Sequence, residues 1–168
     1  AVLYIVATPI GNLKDITLRA LEVLKSVDVI ACEDARHTLR LLNHYEIKKH
    51  LISLNARNEE ESFGKVASVL QKGESVAYVS DAGTPCISDP GAILVSRARE
   101  MGFDIVPIPG VSAFVSLLSV AGVFGKTFRF EGFLSPKPGK RKRRLSEILG
   151  MTEPSLLYES PYRMLRLL

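Results

Sequence analysis

Five short turns hold the residues of this chain that could do chemistry, because they combine glycine, proline and small polar side chains. They cover residues 8–12, 33–37, 80–85, 109–113 and 159–161. Each turn follows an apolar run typical of a buried strand, and open parallel sheets bind ligands at the carboxyl ends of their strands. Glycine lets a ligand approach the backbone, and proline fixes the path of a loop. A single turn of this kind indicates no binding function, but five of them at one sheet edge predict a preformed cleft for a small molecule.

The better-known nucleotide and nucleophile motifs are incomplete in these turns. The run Ser80-Asp-Ala-Gly-Thr-Pro85 does not match the dinucleotide fingerprint G-x-G-x-x-G. The Gly-Lys-Thr at 125–127 resembles the end of a P-loop, but Val120 stands where the earlier glycine is required. The segment 110–114 resembles a nucleophile elbow without its final glycine, so we interpret Ser112 as a helix N-cap.

A cluster of basic residues distinguishes the second part of the chain. Six lysines and arginines fall between Lys137 and Arg144. Residues 1–111 carry 12 Lys+Arg against 14 Asp+Glu, whereas residues 112–168 carry 10 against 4. Such a patch attracts polyanions through counterion release, and nucleic acid is the commonest large one. The alternative is a solvated loop or helix face with no partner.

Composition places the chain among ordinary globular proteins. It has 168 residues, enough for one domain or two small ones, of which 46% are hydrophobic and 24% charged. Its two cysteines, Cys32 and Cys86, are far apart, which favours a reducing cytoplasm over a disulfide framework. The histidine and cysteine spacings match no zinc pattern, so we predict no metal site. No apolar run is long enough to cross a bilayer and no secretory leader is visible, so we expect no membrane association.

Hydrophobic periodicity predicts strands alternating with helices. Predicted strands cover residues 3–7, 27–32, 51–54, 76–79, 105–108, 128–133 and 155–159, and predicted helices begin near residues 18, 38, 59, 92 and 113. We expect Asn58 to cap the third helix and Gly73 to end it. Near-continuous apolar strands between helices indicate a parallel α/β sheet. We therefore predict two α/β domains, residues 1–111 and 112–168, with a hinge at 109–111. Both ends look truncated, so we expect the second domain to be incomplete.

Read in order, the turn motifs resemble the ribosomal RNA small-subunit methyltransferase I family, and the resemblance covers nearly the whole chain. The motifs are Thr8-Pro-Ile-Gly-Asn12, Glu33-Asp-Ala-Arg-His-Thr38, Val79-Ser-Asp-Ala-Gly-Thr-Pro85, Ser88-Asp-Pro-Gly91, Pro107-Ile-Pro-Gly110, Gly132-Phe-Leu134 and Tyr158-Glu-Ser-Pro161. The family belongs to the tetrapyrrole-methylase-like class of S-adenosylmethionine enzymes. The resemblance implies methyl transfer to a cytidine ribose 2′-hydroxyl in small-subunit ribosomal RNA. It also implies two α/β domains with the cofactor between them, usually in a homodimer.

The resemblance further implies a set of cofactor contacts. Carried over position by position, they are Pro9, Gly11, Asp81, Ala82, Gly83, Ile87, Ser112, Ala113, Phe133, Leu134 and Tyr158. A sulfonium needs a water-poor, apolar pocket with aromatic rings or backbone carbonyls nearby, which small and apolar residues can build. The chain departs from the family at Asn55 and Arg57, where histidines commonly precede the Asn58-Glu59 pair.

Methyl transfer from sulfur to oxygen is an in-line displacement that also requires removal of the hydroxyl proton. We expect Glu33 or His37 to take that proton and Arg36 to hold a phosphate. The open alternative is that Glu33 and Arg36 form a structural ion pair while His37 merely begins a helix. The residues expected to grip the RNA backbone are Lys137, Lys140, Arg141, Lys142, Arg143 and Arg144.

Two other functions compete with this interpretation. A sister enzyme of the same class could methylate a tetrapyrrole or another small acceptor, but such an acceptor gives no reason for the basic cluster. A non-catalytic RNA-binding assembly factor would need the basic cluster but not the cofactor turns. Binding of S-adenosylmethionine separates the second alternative from the other two.

Overall fold

Five parallel strands form the sheet that carries the predicted turns. The computed structural model describes residues 1–168. The strands are β1 (Val2–Val6), β2 (Val29–Cys32), β3 (His50–Ser53), β4 (Val76–Val79) and β5 (Asp104–Ile108), in the order β3-β2-β4-β1-β5. All pairs are parallel, and β2 and β4 are buried along their whole length. The predicted parallel α/β sheet is therefore confirmed.

Helices cover both faces of this sheet. They are α1 (Leu18–Ser26), α2 (Ala35–His44), α3 (Glu59–Gln71) and α4 (Ala92–Glu100). One core contains Phe63 of α3 and Leu94 of α4, and the other contains Leu24 of α1 and Leu42 of α2. Burial of apolar side chains on both faces explains why the strands are continuous apolar runs and not alternating ones.

The strand register brings the carboxyl ends of the strands to one edge. Cys32, the last residue of β2, lies beside Val79 of β4 and Ser53 of β3. Val6, the last residue of β1, lies beside Ile108 of β5. Four of the five predicted turns follow these strands and therefore share that edge.

Two predictions about helix N-termini are wrong, namely the first residue of α2 and the cap of α3. Helix α2 begins at Ala35, three residues before the predicted start, because Asp34 Oδ1 accepts the Arg36 N–H at 2.8 Å and caps the helix. Asn58 precedes α3 as predicted but makes no capping hydrogen bond. Its Oδ1 instead accepts the N–H of Asn55 at 2.7 Å and stabilises the turn after β3.

The chain divides into two compact units, Ala1–Ser112 and Ala113–Leu168. The second unit contains α5 (Ala113–Val120), α6 (Pro138–Leu149) and α7 (Met164–Leu167), with a parallel pair of strands, β6 (Arg129–Phe133) and β7 (Ser155–Tyr158). The turn at 159–161 follows β7, so the expectation that all five turns lie on one sheet edge is wrong. That residues 112–168 begin an incomplete domain stays a prediction.

Aromatic side chains hold the second unit together. Phe114 of α5 stacks on Phe130 of β6 with ring centroids 4.5 Å apart, and Tyr158 meets Phe130 edge-on at 4.9 Å. The Tyr158 hydroxyl accepts the backbone N–H of Phe114 at 3.2 Å. These contacts fix the start of α5 over the two strands. Across the whole chain, none of the helices combines the length and apolarity that spanning a bilayer would require.

Candidate functional site

A cavity of about 340 Å³ opens at the carboxyl edge of the five-stranded sheet. It lies between the turn after β1, the turn after β4 and helix α2. Its lining residues are Thr8, Pro9, Ile10, Gly11, Leu13, His37, Thr38, Arg40, Leu41, Val79, Ser80, Asp81 and Ala82. The structure thus brings together four predicted cofactor residues and the predicted base His37. A cavity of this size with mostly apolar walls suits a small molecule.

Gly83 joins the turns after β1 and β4. Its N–H donates to the Thr8 carbonyl at 2.9 Å, and the Thr8 N–H donates to the Gly83 carbonyl at 3.0 Å. The φ of Gly83 is +78°, and a Cβ there would lie 3.4 Å from Ile10. A Cβ there would make only an ordinary contact with Ile10, but any other residue would strain the backbone at this φ, which explains why a glycine joins the two turns.

Glu33 and Asp81 connect the turns after β2 and β4. The Asp81 N–H donates to Glu33 Oε2 at 3.2 Å, and the Asp34 N–H donates to Asp81 Oδ1 at 3.2 Å. Burial raises the pKa of the Glu33 carboxyl, and the hydrogen bond from Asp81 only partly opposes this. Burial also raises the pKa of Asp81, although the nearby His37 lowers it. A raised pKa brings Glu33 closer to the range in which a carboxylate works as a general base.

Arg36 does not pair with Glu33, so the ion pair offered as the alternative is wrong. Its Nη2 lies 3.4 Å from Asp34 Oδ2, and its side chain is 92% exposed. Arg36 lies outside the cavity and lines a second opening of about 560 Å³ beside it. The residues of this second opening, called here the β2–β3 groove, are Glu33, Asp34, Ala35, Arg36, Ser53, Asn55, Ala56 and Arg57.

Thr38 is a cavity residue for which the sequence prediction gave no role. It is 3% exposed, and its Oγ1 makes no hydrogen bond of normal geometry. Burial raises the pKa of the neighbouring Cys32 thiol, and the Thr38 hydroxyl opposes that shift. Thr38 thus lines the cavity, while its hydroxyl is buried next to the Cys32 thiol. The one indication in the sequence that Thr38 lines the cavity is that it directly follows the predicted base His37 on α2.

Glu59 caps a second helix, which no sequence pattern predicted. It lies in the first turn of α3, but its side chain is buried and caps helix α4. Its Oε1 accepts the N–H groups of Gly91 and Leu94, both at 3.0 Å. Gly91 provides no capping side chain of its own, so Glu59 stabilises the loop that joins the cavity turn to α4.

The remaining predicted cofactor residues do not line the cavity. Gly83 joins two of the cavity turns without lining the cavity, Ile87 is 50% exposed, and Ser112 is the last residue of the first unit. The other four, Ala113, Phe133, Leu134 and Tyr158, belong to the second unit. Within that unit, Phe133 and Tyr158 meet edge-on with ring centroids 5.7 Å apart, and Leu134 is buried.

The six basic residues lie at the start of α6 and on its surface. Lys137 is the N-cap residue, and Lys140, Lys142 and Arg143 are exposed. Arg141 is partly exposed, and its Nη1 donates to the Pro136 carbonyl at 3.4 Å.

Arg144 differs from the other five, because it binds carboxylates of its own unit. It donates to Glu131 through Nη2 at 2.7 Å and Nε at 3.1 Å, and to Glu147 at 2.7 Å. These bonds raise the pKa of the Arg144 guanidinium and lower that of the Glu131 carboxyl. The positive charge of Arg144 is thus largely compensated within the unit, and the RNA contact expected of all six residues stays a prediction.

Comparison with known proteins identifies the family of the chain. A model of the family described as tetrapyrrole (corrin/porphyrin) methylases matches residues 2–168. The chain is 50% identical over 166 residues to ribosomal RNA small subunit methyltransferase I of Borrelia garinii, covering 99% of this chain and 74% of that protein. It is 49% identical over 161 residues to the protein of the same name from Neisseria meningitidis, covering 96% of this chain and 55% of that one. The chain therefore spans about half the length of the Neisseria relative.

Solved structures share the fold at lower sequence identity. Uroporphyrin-III-C-methyltransferase of Thermus thermophilus matches with a TM-score of 0.61 and 22% identity, over 82% of this chain and 61% of that one. A cobalamin biosynthetic enzyme, cobalt precorrin-4 methyltransferase, matches with a TM-score of 0.61 and 21% identity, over 81% of this chain and 59% of that one. At this identity the match shows a common fold and nothing about the acceptor.

Proposed function

The chain belongs to the family of tetrapyrrole (corrin/porphyrin) methylases, and from this premise we propose that it methylates the ribose 2′-hydroxyl of a cytidine in small-subunit ribosomal RNA. The observation that carries the proposal is the convergence of Pro9, Gly11, Asp81 and Ala82 on one cavity at the sheet edge, beside Glu33 and His37. The names of the relatives support RNA over a tetrapyrrole as the acceptor.

S-adenosylmethionine fits the cavity as the methyl donor and, when bound, supplies an electrophilic methyl group on a positively charged sulfur. The walls from Pro9, Ile10, Leu13 and Leu41 are apolar, as a water-poor site for a sulfonium requires. The roles proposed for Ile87, Ser112, Ala113, Phe133, Leu134 and Tyr158 as further cofactor contacts are supported by the family resemblance.

Glu33 is the residue we favour for accepting the proton of the ribose hydroxyl. Its backbone follows β2 directly, and the Asp81 N–H holds one carboxylate oxygen, so the orientation of the group is fixed. His37 lines the cavity from α2 and is the second candidate. Arg36 remains a proposed phosphate contact, because its guanidinium is exposed beside Glu33.

The exposed basic residues at the start of α6 and on its surface would bind the RNA backbone. Lys137, Lys140, Lys142 and Arg143 are exposed and have no carboxylate partner, so each can approach a phosphate. Such contacts would supply affinity without sequence selection.

Two further properties belong to the proposal. We expect a homodimer, which the family resemblance and the exposed apolar side chains of Val115, Leu117 and Val120 on α5 support. We expect the chain to work in the cytoplasm, where its free thiols Cys32 and Cys86 would stay reduced.

A transfer assay with labelled S-adenosylmethionine tests the function. Small ribosomal subunits should accept the label on a cytidine ribose, whereas tetrapyrroles and other small acceptors should not. Label transfer to a small acceptor alone would replace RNA as the substrate, and absence of any cofactor binding would leave only the RNA-binding alternative.

Glu33→Gln tests the base within the same assay. It should reduce turnover by about 100-fold or more while cofactor affinity stays unchanged. In the wild type, turnover should rise with pH through a Glu33 pKa above the ordinary value of 4.5, because the base acts when deprotonated. Near-normal turnover in Glu33→Gln would remove Glu33 from the mechanism and make His37→Gln the next variant to measure.

A further inference from the structure

The β2–β3 groove presents two arginines beside the proposed base. Arg57 is exposed, and its guanidinium forms no ion pair with any residue of the chain. Arg36 is 92% exposed, and its only ion pair is the 3.4 Å contact with Asp34. A surface pair of that kind contributes little, so the Arg36 guanidinium can turn to a stronger anion.

The backbone beneath Arg57 is fixed even though its side chain is free. The Arg57 N–H donates to Asn55 Oδ1 at 3.0 Å, and the Asn55 N–H donates to Asn58 Oδ1 at 2.7 Å. Asn58 in turn donates from Nδ2 to the Ser53 carbonyl, which ends β3. The turn therefore holds Arg57 at a set position on the groove wall, which reduces the entropy lost when its side chain binds an anion.

Glu33 joins the groove to the cavity. It lines the groove, and its Oε2 accepts the N–H of Asp81, a residue that lines the cavity. The carboxylate of Asp34 is already engaged, because it caps α2 and faces Arg36. The cations of the groove are thus the side chains most open to solvent, while its carboxylates have partners within the protein.

In an RNA acceptor, a backbone phosphate lies next to every ribose 2′-hydroxyl, and therefore next to the proposed base. The 2′-oxygen sits on the carbon next to the one that carries the 3′-phosphodiester, so a base that reaches the hydroxyl has a phosphate close to it. An arginine beside the base can bind that phosphate with two parallel hydrogen bonds.

We propose that the β2–β3 groove binds the phosphodiester backbone of the acceptor RNA next to the target ribose, with Arg57 and Arg36 as its donors. The proposal rests on the proposed function. It assigns a phosphate contact to one of the two positions at which this chain lacks the histidines common in the family.

Arg19 provides a control on the same protein. It is exposed on α1, forms no ion pair, and lines neither the cavity nor the groove. Arg57→Lys provides a second control, because lysine keeps the positive charge but cannot form a bidentate hydrogen bond to a phosphate.

The experiment measures binding of a small-subunit ribosomal RNA fragment by filter retention at several salt concentrations, with thermal unfolding as the fold check. Arg57→Gln and Arg36→Gln should each weaken binding about tenfold and reduce the magnitude of the salt slope by about 0.7 to 0.9. Arg57→Lys should keep most of the salt slope, Arg19→Gln should match the wild type, and every variant should bind S-adenosylmethionine normally.

An unchanged affinity and salt slope in both Arg57→Gln and Arg36→Gln would overturn the proposal. So would a loss of S-adenosylmethionine affinity in Arg57→Gln, since it would assign the groove to the cofactor. A wild-type chain that binds RNA but transfers no methyl group counts against the proposed function alone. Unaltered RNA binding in the groove variants of an active enzyme counts against the groove alone.

Discussion

The two units of the chain bury apolar side chains to very different extents. In residues 1–112 both faces of the sheet carry a closed core, one around Tyr78 and the other around Ile30. In residues 113–168 the buried hydrophobic side chains are Leu134 and Leu156, and α5 buries none of its own. The first unit is thus stabilised by burial, whereas the second depends on aromatic contacts and on ion pairs near its surface.

This difference separates the parts that need fixed geometry from the parts that need charge. The cavity, Glu33 and the β2–β3 groove all belong to the first unit, on turns tied to buried strands. Side chains that must align a reaction work best on rigid elements. The RNA contacts proposed for the exposed basic residues of α6 require only that the side chains approach phosphates, and such contacts tolerate a less rigid support.

The largest expected effect comes from filling the tightest backbone position of the first unit. Gly91 has a φ of +121°, and a Cβ there would lie 2.5 Å from the Tyr78 ring and 2.6 Å from Cys86 Sγ. Gly91→Ala should lower the free energy of unfolding by about 3 kcal/mol or more, through overpacking and backbone strain, in a urea titration.

Gly64 is the control for that substitution. It lies inside α3 with open space around its Cβ position. Gly64→Ala should raise the free energy of unfolding by about 0.5 to 1 kcal/mol, because alanine has the higher helix propensity. Equal effects of the two substitutions would contradict the close packing described for the first unit.

A smaller effect is expected from breaking the main ion pair of the second unit. Arg144→Gln removes the two hydrogen bonds to Glu131 and should lower the melting temperature of that unit. The difference from the wild type should shrink as sodium chloride is added, because salt screens surface charges. Differential scanning calorimetry at low and high salt measures both values.

Arg143 makes the matched comparison with its neighbour. Arg143→Gln should leave the melting temperature unchanged and weaken RNA binding. Arg144→Gln should lower the melting temperature and leave RNA binding unchanged. If Arg144→Gln instead reduced the RNA salt slope as much as Arg143→Gln, its assignment as a structural residue would be wrong.

The smallest expected changes in stability come from substituting two carboxylates of the first unit, Asp89 and Asp28. Burial raises the pKa of Asp89, so the ionised group destabilises the folded state at neutral pH, and this cost disappears as pH falls through its folded pKa. Asp89→Asn should therefore raise stability at pH 7, with a benefit that shrinks on acidification.

Asp28 should show the opposite sign. Hydrogen bonds from the backbone N–H and hydroxyl of Ser75 lower its pKa, so the ionised group stabilises the fold. Asp28→Asn should reduce stability at pH 7, and the loss should fade only as pH falls through a folded pKa below 3.8. Thermal unfolding of both variants from pH 7 to pH 3 tests the pair, and changes of the same sign would contradict it.

The sequence predicted those features that a single local pattern determines. Val76–Val79 is apolar throughout and could only be a buried strand, and the turn after it lies at the strand end that parallel sheets use for ligands. Four residues that the family resemblance assigned to the cofactor, Pro9, Gly11, Asp81 and Ala82, line the cavity, because they lie in motifs that follow the strands directly.

The features that sequence alone missed depend on contacts between distant residues. Nothing in the first turn of α3 shows that Glu59 caps α4, 32 residues away. Nothing in the run from Lys137 to Arg144 distinguishes Arg144 from Arg143, because the difference comes from Glu131 on β6. The groove around Arg57 requires β2 and β3 to be neighbours, which the strand order determines.

The most direct test of the account is calorimetric titration of S-adenosylmethionine into the wild type and two tryptophan variants. Ala82 and Ala56 are both exposed alanines, but Ala82 lines the cavity and Ala56 lines the β2–β3 groove. The wild type and Ala56→Trp should bind one cofactor per chain, whereas Ala82→Trp should bind none because the indole fills the cavity. Cofactor binding that persists in Ala82→Trp, or no binding in the folded wild type, would contradict the assignment of this cavity.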